Sequence, residues 1–412
     1  MNYEWIAPCH FGLESVCKRE ILDLGYEIVS VEDGKVMFRG DEMACVRANI
    51  FLRTCERILL HVGTFKAETW DELFEGTKAL AWEAFIPQDG RFWVTKANSV
   101  KSRLFSPSDI QSIMKKAMVE RLKSVYGISW FKEEGASYPV RVSILKDMVT
   151  VGIDTSGVSL HKRGYRKMTA KAPITETLAA ALIMLTPWKA DRILVDPFCG
   201  SGTFPIEAAM IAANIAPGLN REFTAESWTN FIPKDLWYKA IDEAENAKLS
   251  DIKPDIQGYD IDADVIKAAR SNAYAAGVED MIHFQVRDVA KLSHPKKYGF
   301  IITNPPYGER VGAVIGGEAD AGTNVSANAG AGANAVAGVA GSVNADIFRL
   351  YQILGERYKA LDDWSMFMIT SYENAEKAIG KKADKNRKIY NGMMKTYFYS
   401  FMGPKPPRGN QA

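Results

Sequence analysis

The stretch "RILVDPFCGSGTFPIEAA" (residues 192–209) decides the fold of the second half of the chain. An apolar run ends at Asp196, glycines follow at positions 200 and 202, and a helical pattern begins near Thr203. Glycines in such a turn let the backbone approach a ligand closely, over the end of a strand and beside the start of a helix. The spacing is neither GxGxxG nor GxxxxGK[ST], which argues against a dinucleotide pyrophosphate or a triphosphate. We therefore expect a nucleotide-like ligand that lacks a phosphate chain.

Two later apolar runs also end in acidic residues. "GYDID" ends with Asp260 beside the apolar Ile261, and "VRD" ends with Asp288. A carboxylate at Asp260 can accept hydrogen bonds from both ribose hydroxyls, Ile261 can contact a purine face, and Asp288 can accept from an adenine amino group. One such acid is more often a helix cap or a surface residue, but an ordered set on successive strands is typical of a site for S-adenosyl-L-methionine.

The stretch "FIITNPPYGER" (residues 300–310) ends a further apolar strand in Asn304, Pro305, Pro306 and Tyr307. An exocyclic amino group is weakly nucleophilic because its lone pair is delocalised into the ring. The Asn304 side-chain oxygen and the Pro305 carbonyl can accept both amino hydrogens, which favours a pyramidal nitrogen without a strong base. The fixed φ of proline holds the corner, and Tyr307 offers a face on which a flipped base can stack. The alternative interpretation is a proline-rich strand terminator.

The order of elements predicts the fold class. From residue 175 onward, strands alternate with helices, which predicts an α/β, Rossmann-like doubly wound sheet. Residues 1–160 mix strands and helices without a glycine-rich nucleotide loop, which predicts an α+β region. The segment Gly312–Ala345 contains no Lys, Arg or aromatic residue, and we expect it to be a disordered low-complexity insertion.

Positive charge is concentrated in three stretches, although the net charge is only +1. Residues 91–146 contain 11 Lys/Arg against 4 Asp/Glu, residues 161–171 contain 5 against none, and residues 377–408 contain 9 against 1. Each stretch alone is more often a solvated face. Together they are the electrostatic footprint expected of a protein that binds a phosphate backbone.

Several classes are disfavoured by composition. No run approaches the roughly 18 apolar residues of a membrane helix, and the N-terminus lacks a basic region followed by an apolar core. The five cysteines form no CxxC pair and have no histidine at metal-binding spacing. We expect a cytoplasmic protein with no membrane segment, no disulfide framework and no metal.

Residues 175–310 resemble a class I S-adenosylmethionine-dependent methyltransferase. "APITETLAAALI" resembles the helix that precedes the glycine turn in these enzymes, which implies that Thr175 and Glu176 touch the methionine end of the cofactor. The candidate cofactor-binding residues are Thr175, Glu176, Asp196, Phe198, Gly200, Gly202, Thr203, Asp260, Ile261, Asp288 and Asn304.

"NPPYGER", "LHKRGYR" and the N-terminal "APCHFGLESVCKREILDLGYE" together resemble a bacterial family of THUMP-domain RNA methyltransferases, which includes the enzyme that makes N2-methylguanosine in the large-subunit ribosomal RNA. The resemblance implies a ferredoxin-like module at 1–60, a THUMP domain at 61–160, a basic linker at 161–174, and a methyltransferase domain at 175–403 that carries the insertion 312–345. It also implies RNA contacts from the basic stretches, for which the candidates are Lys96, Lys101, Arg103, Lys115, Lys116, Lys162, Arg163, Arg166 and Arg310.

The resemblance predicts a monomeric enzyme that methylates the N2 amine of a guanosine in 23S ribosomal RNA. Three alternatives stay open from the sequence. The same reaction could act on tRNA, the target could be adenine N6, or the chain could be a catalytically idle RNA-binding or assembly protein. A protein glutamine methyltransferase would leave the basic N-terminal half unexplained.

Overall fold

The computed structural model describes residues 2–166, 174–307, 333–392 and 394–407, and of residues 333–344 the backbone only. The chain forms two compact units, each built from two segments. Unit 1 comprises Met1–Arg163 and Ile215–Lys248, and unit 2 comprises Gly164–Asn214 and Leu249–Ala412.

Unit 1 contains a seven-stranded sheet in the order β2-β3-β1-β4-β7-β6-β5. All neighbours are antiparallel except β5 and β6, which are parallel. Its elements are β1 (Tyr3–Pro8), α1 (Glu14–Asp23), β2 (Glu27–Glu32), β3 (Lys35–Gly40), α2 (Glu42–Phe51), β4 (Leu59–Lys66), α3 (Trp70–Ala79), β5 (Arg91–Val100), α4 (Pro107–Tyr126), β6 (Ser137–Leu145) and β7 (Met148–Asp154). The modules expected at 1–60 and 61–160 thus share one continuous sheet.

Side chains alternate between the two faces of this sheet, apart from register shifts at Ile28/Ser30, His61/Gly63 and Val94/Lys96. In β6, Val140, Val142 and Ile144 are buried, whereas Arg141 and Ser143 point to the other face. The buried face packs against helices, for example against Ile110 and the other apolar residues of α4, and forms one large core. The opposite face carries polar side chains such as Arg141 and Ser143 and a small apolar cluster of Ile6, Met37 and Leu59.

Unit 2 contains a second seven-stranded sheet, in the order β10-β9-β8-β11-β12-β14-β13. Neighbours are parallel except β14, which runs antiparallel to β12 and β13. Its elements are α5 (Glu176–Leu185), β8 (Leu194–Asp196), α6 (Thr203–Ala212), β9 (Ile256–Asp260), α8 (Ala263–Ala275), β10 (Ile282–Val286), β11 (Phe300–Thr303), α9 (Ala333–Lys359), β12 (Ser365–Thr370), α10 (Ala375–Ile379), β13 (Lys385–Asn391) and β14 (Met394–Phe401); α7 (Lys234–Asn246) lies between α6 and β9 in the sequence but belongs to unit 1. The predicted α/β doubly wound sheet and the α+β N-terminal half are confirmed.

The strand order reverses between β8 and β11, so the chain leaves β8 towards one edge of the sheet and β11 towards the other. A crevice forms at such a switch point, beyond the carboxyl ends of the strands. Asp196 and Asn304 lie at the ends of these two strands, which places them at the crevice.

The segment 215–248 was expected to be part of the domain 175–403, but it packs into the core of unit 1. The Trp228 ring stacks on Tyr138 with ring centroids 4.8 Å apart, and its Nε1 donates to the Ser137 carbonyl at 2.8 Å. On α7, Glu243 forms an ion pair with Arg47 of α2 at 2.7 Å. Buried aromatic rings therefore hold this segment in unit 1.

The insertion predicted at 312–345 is corrected at its C-terminal end. Residues 308–332 lie outside the described part, but α9 begins at Ala333, so residues 333–345 are helical rather than disordered. Alanine has the highest helix propensity, and this stretch continues a helix that is anchored further along by the buried Ile347, Tyr351 and Leu354.

In the ranges that the structure describes, no helix combines the length and apolar character needed to cross a membrane. The five cysteines are all buried free thiols. No group of three His, Cys, Asp or Glu side chains among the described residues could hold a metal ion.

Candidate active site

Four neighbouring parallel strands bring the predicted site residues to one edge of the sheet in unit 2. Asp260 and Asp196 are the last residues of β9 and β8, Asn304 follows β11 directly, and Asp288 lies two residues beyond β10. The sheet order β10-β9-β8-β11 therefore lines them up in the order Asp288, Asp260, Asp196, Asn304.

Asp196 is buried beneath this edge, with 1% of its surface exposed. Its Oδ1 accepts hydrogen bonds from Thr303 Oγ1 at 2.6 Å and from the Phe198 backbone N–H at 3.1 Å. Burial raises the pKa of its carboxyl to about 7, and these two hydrogen bonds oppose the rise only in part. The sequence did not indicate Thr303, although its polar side chain at the end of an otherwise apolar strand was a signal.

The glycine turn has the backbone that its sequence requires. Gly200 and Gly202 have φ values of +54° and +86°, in the left-handed region that favours glycine. The Gly200 N–H donates to Asp260 Oδ2 at 3.0 Å, which ties the turn to β9. A Cβ on Gly202 would lie 3.0 Å from the Phe284 ring, whereas one on Gly200 would meet nothing within 4 Å. The turn is therefore packed against the Phe284 ring at Gly202, whereas space for a ligand remains beside Gly200.

The carboxylate oxygens of Asp260 and Asp288 can accept further hydrogen bonds at the strand ends. Asp260 also accepts from the Asp262 N–H at 3.1 Å, and burial raises the pKa of its carboxyl. Asp288 Oδ1 accepts from the Ala290 N–H at 2.8 Å and so caps a short turn. Ile261 is 57% exposed beside Asp260, as a residue that contacts a ligand ring would be.

The N-terminus of α5 is held by a network that the sequence did not predict. The Arg166 guanidinium pairs with Glu176 at 3.0 Å and donates to Thr203 Oγ1 at 2.8 Å and to the Ile174 carbonyl at 3.0 Å. Glu176 is 3% exposed, and Thr175 is the N-cap residue of α5. Arg166, expected to guide RNA, instead links the starts of α5 and α6 inside unit 2.

Asn304 carries an unsatisfied acceptor. Its Oδ1 is buried and has no hydrogen-bond partner among the described residues, which is costly for an amide oxygen. Pro305 is buried and Pro306 is half-buried beside it. Tyr307 is only 4% exposed, so its ring is not the open stacking face that the sequence predicted. Arg310 lies outside the described residues.

The other candidate RNA contacts are either exposed to solvent or engaged in contacts within unit 1. Lys96, Lys101, Arg103, Lys116 and Lys162 are exposed, although Arg103 pairs with Glu68 at 2.7 Å. Lys115 donates to the Phe92 carbonyl and pairs with Glu133 at 3.1 Å, so its charge is largely used within unit 1. Arg163 is a correction: it is 3% exposed and donates to the backbone carbonyls of Leu160 and Arg53, so it stabilises the fold and does not face RNA.

Comparisons with known families agree with this geometry. An RlmL ferredoxin-like domain matches residues 4–59, a THUMP domain matches residues 67–154, and an RMKL-like methyltransferase domain matches residues 163–318. "Putative RNA methyltransferase YpsC" of Bacillus subtilis is 45% identical over 99% of this chain and 98% of its own length. The chain belongs to the THUMP-containing RMKL-like methyltransferase family. The family prediction is therefore confirmed.

Two further relatives of this methyltransferase are matched over different shares of their own length. "Ribosomal RNA large subunit methyltransferase K/L" of Cellvibrio japonicus is 29% identical over 97% of the chain, but the chain spans only 51% of that protein. Among solved structures, a "possible methylase" of Clostridium difficile is 47% identical with a TM-score of 0.88, and the match covers 99% of this chain and all of that one.

The cofactor prediction is confirmed as well. SMU.472, solved in complex with SAH, is 38% identical with a TM-score of 0.84, and the match covers 98% of this chain and 99% of that one. This methyltransferase uses S-adenosylmethionine as its methyl donor. The residues at the strand ends fit that group, because the turn beside Gly200 is open and the Ser201 hydroxyl is buried without a hydrogen-bond partner in the described residues.

Proposed function

We propose that this methyltransferase transfers a methyl group to the exocyclic N2 amine of a guanosine in 23S ribosomal RNA. The observation that carries the proposal is the buried Oδ1 of Asn304 at the end of β11, which has no hydrogen-bond partner among the described residues. Asn304 directly follows Thr303, which donates a hydrogen bond to Asp196. A THUMP domain and the names of the ribosomal RNA and RNA methyltransferase relatives support RNA as the substrate class.

Residues at different strand ends would hold different parts of the cofactor. Asp260 would accept from the ribose hydroxyls, Ile261 would cover one face of the adenine, and Asp288 would accept from its amino group. Thr175, Glu176, Phe198 and Thr203 would surround the methionine end, with Asp196, Gly200 and Gly202 forming the turn. When bound, the cofactor supplies an electrophilic methyl group on a sulfonium.

Asn304 and Pro305 would prepare the nucleophile. Asn304 Oδ1 gains the hydrogen bond that it lacks when it accepts one amino hydrogen, and the Pro305 carbonyl accepts the other. Two acceptors at fixed positions favour a pyramidal amine whose lone pair is free to attack, so that orientation replaces a general base. Pro306 would keep the corner rigid, because its ring fixes φ.

Nucleoside mass spectrometry tests the proposal. We would compare 23S ribosomal RNA and tRNA from cells that lack this protein, and from the same cells complemented with the wild type or with Asn304→Ala. We expect N2-methylguanosine to fall in the 23S fraction and to return only with the wild type. A loss confined to tRNA or to N6-methyladenosine, with N2-methylguanosine in 23S RNA unchanged, would overturn it.

A further inference from the structure

The ring of Tyr307 is too deeply buried to be the face on which a flipped base stacks, because only 4% of the residue is exposed. It packs close to Tyr351 of α9. Burial raises the pKa of Tyr351, and the neighbouring Tyr307 and Tyr372 add to the rise. A base that leaves its helix needs an accessible ring on which to stack, so that ring has to come from another element.

The strand next to the catalytic corner brings a second tyrosine to the same edge of the sheet. β12 lies beside β11, on the side away from β8, β9 and β10. The two strands are parallel, with Thr303 opposite Met368, so they end together. Asn304 directly follows β11, and Tyr372 lies two residues beyond the end of β12. Because adjacent strands are about 4.8 Å apart, the residues that follow them are neighbours at this edge.

The ring of Tyr372 is held on one side and accessible on another. Tyr372 is half-buried and packs against the core of unit 2. Its ring centroid lies 5.1 Å from that of Tyr351, with 59° between the ring planes. The Tyr372 N–H donates to Thr370 Oγ1 at 3.0 Å, and the same hydroxyl shares a 2.7 Å hydrogen bond with the Tyr351 hydroxyl. These contacts fix the ring before a ligand arrives.

Other aromatic residues near this edge are placed less well. Phe198 lies on the glycine turn after β8, on the cofactor side of β11. Tyr397 is half-buried but lies on β14, opposite Thr370, and is therefore one strand further from Asn304. Residues 167–173 and 308–332 contain no Phe, Tyr or Trp, so a stacking ring cannot come from them.

We propose that the ring of Tyr372 is the stacking face for the target base, which it holds while Asn304 accepts a hydrogen bond from the amino group to be methylated. Every base has a π-face, so stacking positions the base without identifying it. Asn304 and Pro305 then select the amino group, and the fixed ring keeps that group in line with the methyl donor. This inference rests on the proposed function, because it requires a nucleobase amine as the target.

Steady-state methyl transfer from tritiated S-adenosylmethionine tests the role of Tyr372. The substrates are ribosomal and transfer RNA purified from cells that lack this protein. The full-length wild type is compared with Tyr372→Leu, which removes the ring, and with Tyr372→Phe, which keeps it. Phe348→Leu and Tyr397→Leu are matched controls, because each removes a half-buried ring that packs against the same core.

Tyr372→Leu should lower kcat/KM for RNA by about tenfold, since leucine is apolar but has no π-face. Tyr372→Phe should restore kcat/KM to nearly the wild-type value, and both controls should stay near it. The Kd for S-adenosylmethionine, measured by calorimetry without RNA, should be unchanged in Tyr372→Leu, because β11 separates β12 from the strands that end at the cofactor residues. Thermal unfolding of each variant shows how much stability the lost packing costs.

Three results would refute the role of Tyr372: wild-type kcat/KM in Tyr372→Leu, no recovery in Tyr372→Phe, or an equal loss in either control. Mass spectrometry of the product RNA identifies the methylated nucleoside separately. A product other than N2-methylguanosine would contradict the proposed guanine target. The comparison among the Tyr372 variants would still decide the stacking role, because it applies to any methylated base.

Discussion

Thr303 Oγ1 donates a 2.6 Å hydrogen bond to Asp196 Oδ1, and each residue is at most 1% exposed. The bond joins the end of β11 to the end of β8, on either side of the switch point in the sheet. Thr303 directly precedes Asn304, and Asp196 opens the glycine turn. The cofactor turn and the proposed catalytic corner are therefore positioned by one shared contact.

Thr303→Val should weaken both functions of the site. Valine has nearly the same shape but cannot donate, so a buried carboxylate loses a hydrogen bond worth about 1.5–3 kcal/mol. We expect the Kd for S-adenosylmethionine, measured by calorimetry, to rise about tenfold and kcat to fall with it. Thr303→Ser keeps the donor and is the matched control. Wild-type values of both constants in the valine variant would show that the contact is not used.

Asn304→Ala should separate catalysis from binding. Loss of a preorganised hydrogen-bond partner typically costs 10²–10³-fold in kcat, and we expect that loss in a radiolabelled methyl-transfer assay. The Kd for RNA should change little, because unit 1 is not altered. Asn304→Asp retains one acceptor oxygen and should keep more activity than the alanine variant. Full activity in Asn304→Ala would contradict the proposed role.

The pKa of Asp196 predicts a pH effect on stability. An unfolded aspartate titrates near 3.8, whereas burial raises the folded pKa to about 7, so the folded state binds more protons between these values. This carboxyl must therefore destabilise the wild type progressively as pH rises from about 4 to about 7. Asp196→Asn removes the titration but can keep the Oδ1 acceptor. Thermal unfolding should show the variant gaining stability relative to the wild type over that range, and parallel curves would rule out the raised pKa.

Trp228→Ala should destabilise unit 1. The ring is 1% exposed, stacks on Tyr138 and donates to the Ser137 carbonyl, so truncation creates a large cavity and leaves an acceptor unpaired. A loss of about 3–5 kcal/mol in the free energy of unfolding is expected from denaturant titration. Trp130→Ala is the control, because that ring is 71% exposed and its removal should change stability little. Equal effects of the two substitutions would show that residues 215–248 do not stabilise unit 1.

The sequence predicted features that depend on local pattern. Strand and helix periodicity gave the α/β class, and the glycine spacing with successive acidic strand ends gave the cofactor. Asp196, Asp260, Asp288 and Asn304 were correctly expected at the ends of neighbouring strands, because parallel strands in a doubly wound sheet present their carboxyl ends at one edge.

What the sequence did not predict depends on contacts between distant residues. Arg163 and Arg166 look like RNA-binding residues in a basic stretch, yet both are used inside their units by partners that the pattern cannot reveal. Arg57 lies outside the three basic stretches, and Arg141 lies within residues 91–146. Only the structure shows that both donate hydrogen bonds to the same carboxylate, that of Asp154. The membership of residues 215–248 in unit 1 likewise follows from tertiary packing alone.

Residues 215–248 belong to unit 1 although they lie between two segments of unit 2 in the sequence, and this has a consequence for synthesis on the ribosome. The chain passes from one unit to the other after Arg163, after Asn214 and after Lys248. When the first 163 residues have been translated, the surface of Tyr138 that Trp228 covers still lacks its partner. The core of unit 1 can therefore close only after β8 and α6 of unit 2 have emerged, and unit 2 in turn is completed only by Leu249–Ala412.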